Sequence, residues 1–229
     1  RKIALIIGNS KYEHTSPLLN PKADATAIAD KLKEMGFEVQ LALDFTNRKM
    51  QEALADFGDK ALTADVALFY YAGHGFQMDG LSYLMPIDAE LKTKNRAKIE
   101  NVHLEMVVDY LSEAKVFGVI LIDACRSNPL LAKIPSATRS TNRGLSIVDT
   151  SGKNLIISYA AGAGMEAMDG MPDDKNSPYA SALIKLLDKE QDVALTFREV
   201  KDEVKEMTNG FQIPMVESHL SGGQYFLTR

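Results

Sequence analysis

The chain has 229 residues, of which 45% are hydrophobic and 25% charged, and its formal net charge is −5. A negative charge without a basic cluster argues against nucleic acid as the main partner, and no apolar stretch reaches the length of about 18 residues that a membrane span needs. The single cysteine excludes an internal disulfide and fits a reducing compartment. Because the chain starts at Arg1, directly in a predicted strand, we expect an excised or processed segment of a soluble protein, cytoplasmic or periplasmic, whose targeting signal would be missing.

Strand and helix patterns alternate along the chain. In chain order, hydrophobic periodicity predicts a strand at 2–8, a helix at 21–35, a strand at 38–43, a helix at 48–60 and a strand at 66–72. The pair Asp79-Gly80 predicts a small hairpin within 77–89. There follow a helix at 104–114, strands at 117–122 and 155–160, helices at 178–187 and 197–207, and a candidate closing strand at 225–227. This alternation predicts an α/β fold with a mainly parallel central β-sheet and helices on both faces.

Two buried strands each lead into a residue that can take part in catalysis. The run Val-Ala-Leu-Phe-Tyr-Tyr-Ala-Gly-His-Gly (66–75) contains His74 between two glycines, and Val-Ile-Leu-Ile-Asp-Ala-Cys-Arg (119–126) contains Cys125. Ligands bind at this carboxyl edge of the strands in open α/β sheets. A cysteine with a histidine in reach is the minimal equipment for thiolate catalysis. The alternatives are a Cys125 buried as a small hydrophobe and a His74 that serves as a hydrogen-bonded structural residue.

The two motifs resemble those of a known enzyme family. His74 precedes Cys125 by about 50 residues, as in caspase-type enzymes. Tyr-Ala-Gly-His-Gly (71–75) and Asp-Ala-Cys-Arg (123–126) are similar to the His and Cys motifs of caspase-like cysteine peptidases, closest to the bacterial metacaspase or orthocaspase branch. Similar segments also occur at 3–9, 176–183 and 220–226, so the likeness covers nearly the whole chain. It implies a caspase-like three-layer sandwich and cysteine endopeptidase activity.

The resemblance also divides the chain. It implies a single catalytic domain over 1–229, with a large-subunit-like part at 1–125, an intersubunit linker at 126–154 and a small-subunit-like part at 155–229. The stretch 126–154 shows no clear period, and such loops beyond about 12–15 residues are uncommon unless they are functional or disordered. Because caspase-like enzymes are often cut at this place, the candidate self-processing sites are Arg126, Lys133, Arg139 and Arg143. An ordered loop that is never cut is the alternative.

The family chemistry implies a role for each member of the His-Cys pair. A free thiol has a pKa of about 8.5, so the imidazole of His74 would take the proton of Cys125 or orient the substrate, and would then protonate the departing amine. The oxygen anion of the tetrahedral intermediate needs donors that are fixed in advance. The backbone N–H groups of Gly75 and Cys125 are the candidates for this oxyanion hole.

The predicted substrate pocket departs from that of aspartate-specific caspases. Those enzymes have Gln two positions before the cysteine, whereas this chain has Asp123, and Asp24 falls where metacaspases have a second pocket acid. Two carboxylates in one pocket disfavour an acidic side chain and pair with Arg or Lys, so we predict cleavage after Arg or Lys. Alternatively, Asp24 is an exposed acid in the first turn of a helix, and Asp123 is a hydrogen-bonded acid at a strand end.

Further pocket residues follow from the same resemblance. Ser158 and Tyr159 resemble the residues of the other pocket wall. An acidic loop would either attract basic substrates or form a solvated surface, and its members are Glu166, Asp169, Asp173 and Asp174.

Cofactor and partner expectations also come from the resemblance. Many metacaspases hold Ca²⁺ through acids that include an adjacent Asp pair, which the corresponding region 99–105 lacks. Since Ca²⁺ takes about six to eight oxygen ligands, we expect calcium-independent activity without a metal or another cofactor. The expected partner is a peptide or protein substrate with a basic residue before the cut. The family favours a monomer, and a caspase-like dimer through edge strands near the C-terminus is the alternative.

Other functions stay open. The chain could be a catalytically silent or latent caspase-like interaction domain. Such a domain is expected to lack the Cys, the His or a pocket acid, and none of these is missing. A nucleotide-binding or receiver-type domain needs a Gly-rich phosphate loop after the first strand, whereas residues 7–12 hold one glycine. A legumain-type or separase-type peptidase shares the His-Gly and Cys motifs and would differ in its pocket.

Overall fold

The computed structural model describes residues 1–124, 152–162, 167–170 and 175–228. The strands in these ranges are β1 (Lys2–Gly8), β2 (Glu38–Leu43), β3 (Val66–Ala72), β4 (Gly75–Met78), β5 (Leu81–Leu84), β6 (Val102–His103), β7 (Phe117–Asp123), β8 (Leu155–Tyr159) and β9 (Met215–Ser218). The helices are α1 (Pro21–Glu34), α2 (Asn47–Ala61), α3 (Lys94–Glu100), α4 (Leu104–Leu111), α5 (Pro178–Leu186) and α6 (Val193–Met207).

A six-stranded sheet forms the centre of the described structure, in the order β2-β1-β3-β7-β8-β9. All its neighbouring strands are parallel except β9, which is antiparallel to β8. Alternate residues of β3 face opposite sides, as the two-residue period of a strand requires. Tyr70 packs into the cluster that contains α1, α5 and α6, whereas Tyr71 packs into the cluster that contains α2 and α4. The predicted α/β architecture, a mainly parallel sheet between two helical layers, is confirmed.

The first turn of α1 lies directly against the end of β1. A Cβ atom at Gly8 would be 2.5 Å from the Pro21 carbonyl oxygen and 2.6 Å from the Ala25 Cβ, so a residue without a side chain is required there. Pro21 occupies the start of the helix, where its fixed φ and missing N–H are tolerated. This contact brings Asp24, in the same turn, to the carboxyl edge of the sheet.

The predicted hairpin is also confirmed. β4 and β5 are antiparallel and are joined by Asp79 and Gly80, whose φ angles are 54° and 80°. Positive φ at both positions is typical of the two-residue turn whose twist matches the flanking strands. β6 adds a third strand to this small sheet. The sequence did not indicate β6 or α3, because elements of two and seven residues are too short to establish a period.

The C-terminal part differs from the prediction that 225–227 closes the sheet. β9 closes it instead. The backbone of Tyr225 is engaged elsewhere: its N–H donates to the Asp192 carboxylate, and its carbonyl accepts from the Val193 N–H. Asp192 also caps α6 by accepting from the Ala194 N–H, so the helix begins before its predicted start at 197. No helix in the described ranges is long and apolar enough to cross a membrane.

Candidate active site

The carboxyl ends of β3 and β7 lie side by side. The Gly73 N–H donates to the carbonyl oxygen of Asp123 at 3.2 Å. His74 follows directly, and a Cβ atom at Gly75 would lie 3.3 Å from the Ala124 Cβ. The predicted His-Gly motif is therefore in contact with the residue that precedes the cysteine in the chain.

Several predicted residues lie outside the described part of the chain. They are the predicted nucleophile Cys125, the candidate processing sites Arg126, Lys133, Arg139 and Arg143, and the loop acids Glu166, Asp173 and Asp174. Their roles, and the division of the chain at a linker, stay predictions.

The imidazole of His74 is half-buried and oriented by the loop that follows β1. Its Nε2 atom lies 2.9 Å from the Ser16 carbonyl oxygen. Because a carbonyl oxygen only accepts, Nε2 carries the proton of the neutral ring and Nδ1 is its basic nitrogen. The ring of Tyr12 packs against the imidazole, with their centroids 4.5 Å apart. These contacts fix both the tautomer and the position of the ring.

Asp24 and Asp123 are joined through a serine at the start of α5. The Ser177 hydroxyl donates to Asp123 Oδ2 at 2.7 Å, and the Ser177 N–H donates to Asp24 Oδ1 at 3.0 Å. Asn176 adds a donor to Asp24 at 2.9 Å, and the Tyr70 hydroxyl adds one to Asp123 at 3.1 Å. Asp24 is only 1% exposed, which excludes the alternative of a solvent-exposed helix acid.

Burial raises the pKa of both carboxyl groups. For Asp123, the nearby Asp24 raises the pKa further, while hydrogen bonds from Ser177 and Tyr70 oppose the shift. For Asp24, the bonds from Asn176 and Ser177 oppose it. Two buried carboxyl groups that interact in this way resist simultaneous ionisation. A cation between them would remove this resistance and favour both ionised forms.

A third acid, Asp169, faces the same cleft. Its carboxylate accepts from the backbone N–H groups of Leu19 at 2.6 Å and Asn20 at 3.3 Å, and burial raises its pKa. The cleft has a volume of about 30 Å³, and its polar lining consists of Asp24, Asp123, Asp169, Ser177 and His74. No Lys or Arg occurs among the described residues that line it, so the cleft is acidic.

Two of the predicted pocket residues lie elsewhere. Ser158 and Tyr159 are fully buried near the end of β8, and neither is among the described residues of the cleft wall. The Ser158 hydroxyl oxygen accepts from the Tyr179 hydroxyl at 2.7 Å, so Ser158 contacts α5.

Ser177 and Tyr70 were not identified from the sequence as partners of the two acids. Ser-Pro at 177–178 is a helix-start signal, since Ser is favoured at the N-cap and Pro at the first helical position. That signal could have located Ser177 at a helix start, but it could not have indicated the acid that Ser177 binds. The described residues contain no group of three or more His, Cys, Asp or Glu side chains that could hold a metal ion.

Residues 1–225 match the family model described as the caspase domain, Peptidase_C14. The chain belongs to the caspase domain family. This assignment confirms the resemblance to caspase-like cysteine endopeptidases. The family model does not separate the bacterial metacaspase branch from others, so that finer assignment stays a prediction.

Two curated relatives are similar to nearly the whole chain. The chain is 27% identical over 228 residues to the human mucosa-associated lymphoid tissue lymphoma translocation protein 1, covering 96% of this chain and 26% of that protein, with the same values for its mouse homologue. The chain thus spans about a quarter of these curated relatives.

Two solved structures share the fold. Caspase-1 from Spodoptera frugiperda superposes with a TM-score of 0.72 at 14% identity, covering 99% of this chain and 89% of that one. The protein GSU0716 from Geobacter sulfurreducens superposes with a TM-score of 0.73 at 16% identity, covering 100% and 97%.

Proposed function

We propose that this caspase domain cleaves peptide bonds after arginine or lysine, with Cys125 as the nucleophile and His74 as the general base and acid. The observation that carries the specificity is the cleft shared by Asp24, Asp123 and His74. Asp169 adds a third carboxylate to the same wall. A peptide whose basic side chain entered this cleft would present its next bond near Ala124, which precedes the cysteine in the chain.

Arginine fits the cleft better than lysine. A guanidinium is planar and carries five N–H donors, so it bonds to two carboxylates at once, whereas an ammonium is a compact point charge. The cation lowers the pKa of Asp24 and Asp123, so both ionise when it binds. An aspartate side chain would add a further negative charge and is rejected. A volume of about 30 Å³ holds about two waters, so binding includes an outward shift of the cleft wall.

The chemistry would proceed through a thioester. Cys125 Sγ attacks the carbonyl carbon of the scissile bond, and its proton passes to Nδ1 of His74. The Gly75 and Cys125 N–H groups donate to the resulting oxygen anion. As the carbon–nitrogen bond breaks, the imidazolium protonates the departing amine and an acyl-enzyme remains. Water then attacks the thioester and gives its proton to His74, and the thiol is restored as the acid product leaves.

Self-processing and calcium independence belong to the same proposal. Arg126, Lys133, Arg139 and Arg143 supply basic residues in the stretch that the family resemblance identifies as a linker. An enzyme specific for basic residues would therefore cut itself there. Calcium independence is supported by the sequence 99–105, which lacks the adjacent Asp pair of calcium-dependent metacaspases.

The specificity test is hydrolysis of peptides that differ only at the residue before the cut: Arg, citrulline, Lys, Asp, Asn or Ala. Citrulline keeps the shape of arginine without its charge, so we expect kcat/KM for Arg to exceed that for citrulline by about 30-fold or more. The assay compares the wild type with Cys125→Ala, with Ca²⁺ or with a chelator. Cleavage after Asp or Asn would contradict the acidic pocket. Activity of Cys125→Ala would contradict the nucleophile, and activity lost with the chelator would contradict calcium independence.

Self-processing is tested separately by intact-mass measurement of the purified protein. We expect wild-type fragments that end at Arg126, Lys133, Arg139 or Arg143, and an uncut Cys125→Ala chain. A wild-type chain that cleaves Arg peptides and stays intact would contradict self-processing alone. A chain that cleaves no peptide of the panel would favour a silent interaction domain.

A further inference from the structure

Two tyrosine hydroxyls hold the backbone of His74 from both sides. The His74 N–H donates to the Tyr12 hydroxyl oxygen at 2.7 Å, and the Tyr71 hydroxyl donates to the His74 carbonyl oxygen at 2.6 Å. The two hydroxyl oxygens lie 3.3 Å apart. When Tyr12 is the donor of this pair, the His74 N–H donates to Tyr12, Tyr12 donates to Tyr71, and Tyr71 donates to the His74 carbonyl oxygen, which closes a ring of hydrogen bonds. Hydrogen bonds in such a chain strengthen one another.

The residue before the histidine makes room for this arrangement. A Cβ atom at Gly73 would lie 2.5 Å from the Tyr12 hydroxyl oxygen and 2.6 Å from that of Tyr71. Real Cβ atoms do not approach other atoms so closely, so a side chain at Gly73 would separate both hydroxyls from His74. The two tyrosine hydroxyls thus explain why the residue before His74 has no side chain.

The pair also links three parts of the fold. Tyr71 belongs to β3, and its hydroxyl also contacts Met85 after β5. It accepts from the Met85 N–H at 3.2 Å, and the Met85 carbonyl oxygen, at 2.9 Å, is a second and longer acceptor besides that of His74. Tyr12 lies in the loop after β1, which also supplies the Ser16 carbonyl that accepts from the imidazole. Burial raises the pKa of both tyrosines well above the usual value, so both hydroxyls keep the protons that these bonds need.

We propose that Tyr12 and Tyr71, here called the tyrosine clamp, are positioning residues that hold the imidazole of His74 in its reactive place and tautomer. They act through His74 and line no part of the acidic cleft. The inference rests on the proposed function, since it gives His74 the role of general base. It predicts that removing either hydroxyl impairs the chemical step and leaves recognition of the basic side chain intact.

The kinetic test uses Tyr12→Phe and Tyr71→Phe, which remove only the hydroxyls. We expect kcat for an Arg peptide to fall about 10- to 100-fold, because small misplacements of a catalytic group reduce rates by such factors, with KM unchanged. Because both hydroxyls belong to one ring, the double variant should lose about as much as either single variant. The matched control is Tyr83→Phe, whose buried hydroxyl has no hydrogen-bond partner in the described structure, and its kcat should equal that of the wild type.

Unchanged kcat in both single variants, or a change in KM alone, would overturn the clamp. So would a loss of activity in Tyr83→Phe as large as in the clamp variants, because any buried hydroxyl would then have the same effect.

A second readout does not depend on peptidase activity. Nitrogen NMR of labelled histidine, assigned with His74→Gln, reports the tautomer and the titration of His74. We expect the Nε2–H form in the wild type and in Tyr83→Phe, and a mixture of tautomers with a shifted titration in Tyr12→Phe and Tyr71→Phe. Unaltered His74 signals in the clamp variants would overturn the inference. Altered signals in a protein that cleaves no peptide would support the clamp while rejecting the proposed function.

Discussion

The hydroxyl of Ser177 donates a 2.7 Å hydrogen bond to the carboxylate of Asp123. The same hydroxyl oxygen accepts from the Ala180 N–H and so caps α5, while the Ser177 N–H donates to Asp24. One residue therefore starts a helix and links both acids of the cleft. The positive end of the helix dipole, at this N-terminus, favours negative charge on both carboxylates.

Ser177→Ala should weaken both stability and substrate recognition. Loss of the cap should lower the free energy of unfolding by about 1 kcal/mol. Loss of the donor to Asp123 should raise the pKa of that carboxyl further, and KM for an Arg peptide should rise about tenfold. Urea unfolding and steady-state kinetics measure the two effects.

The control for this substitution is Thr93→Ala, which removes the side-chain cap of α3 away from the cleft. We expect a similar loss of stability and an unchanged KM. An equal rise of KM in Thr93→Ala and Ser177→Ala would show that substrate binding is weakened by the loss of stability and not by the loss of the hydrogen bond to Asp123.

Asp123→Asn should remove the preference for a charged side chain. The amide keeps the shape of the carboxyl and an oxygen that accepts from Ser177. The expected loss in kcat/KM is about 30-fold or more for an Arg peptide, and a few-fold for its citrulline counterpart. The matched control is Asp109→Asn, since Asp109 is exposed and pairs with Lys153 at the surface. Equal losses for Arg and citrulline in Asp123→Asn would argue against a charge-based pocket.

The same substitution should alter how stability depends on pH. The folded-state pKa of Asp123 is raised, so between pH about 4 and neutrality the unfolded chain loses this proton while the folded chain retains it. The contribution of Asp123 to the stability of the wild type therefore falls as pH rises. Asp123→Asn has no such titration. Its free energy of unfolding relative to that of the wild type should therefore increase by at least about 1 kcal/mol from pH 4 to pH 7. A constant difference in unfolding free energy across this range would contradict the raised pKa.

Gly8→Ala should displace α1 and with it Asp24. The new Cβ would meet the Pro21 backbone at 2.5 Å, so the helix must move. Such overpacking lowers the free energy of unfolding by about 1–3 kcal/mol, and KM for an Arg peptide should rise. At Gly222, by contrast, a Cβ would meet nothing within 4 Å, so Gly222→Ala should stay within about 0.5 kcal/mol of the wild type. Thermal unfolding and kinetics of both variants provide the check.

Local sequence patterns determined much of the architecture. Strands buried on both faces are continuous apolar runs, and for this reason β1, β3, β7 and β8 were predictable within one or two residues. The turn at Asp79-Gly80 was predictable because few residues tolerate positive φ in succession. The position of His74, two residues after the end of β3, followed from the apolar run that forms this strand.

The family resemblance indicated that Asp24 and Asp123 share a pocket, whereas only the tertiary structure showed which other side chains bind them there. Asp24 lies in the first turn of α1, and the packing of that turn against Gly8 and against the start of α5 buries it near Asp123. Ser177 and Tyr12 are distant in sequence from the residues that they hold. Hydrogen bonds between distant residues depend on how the helices pack on the sheet. The hydrophobic periodicity of a segment shows which of its faces is buried, but not which residues pack against that face. The sequence therefore determined the strands and the motif residues, whereas packing determined the partners that set their charge and orientation.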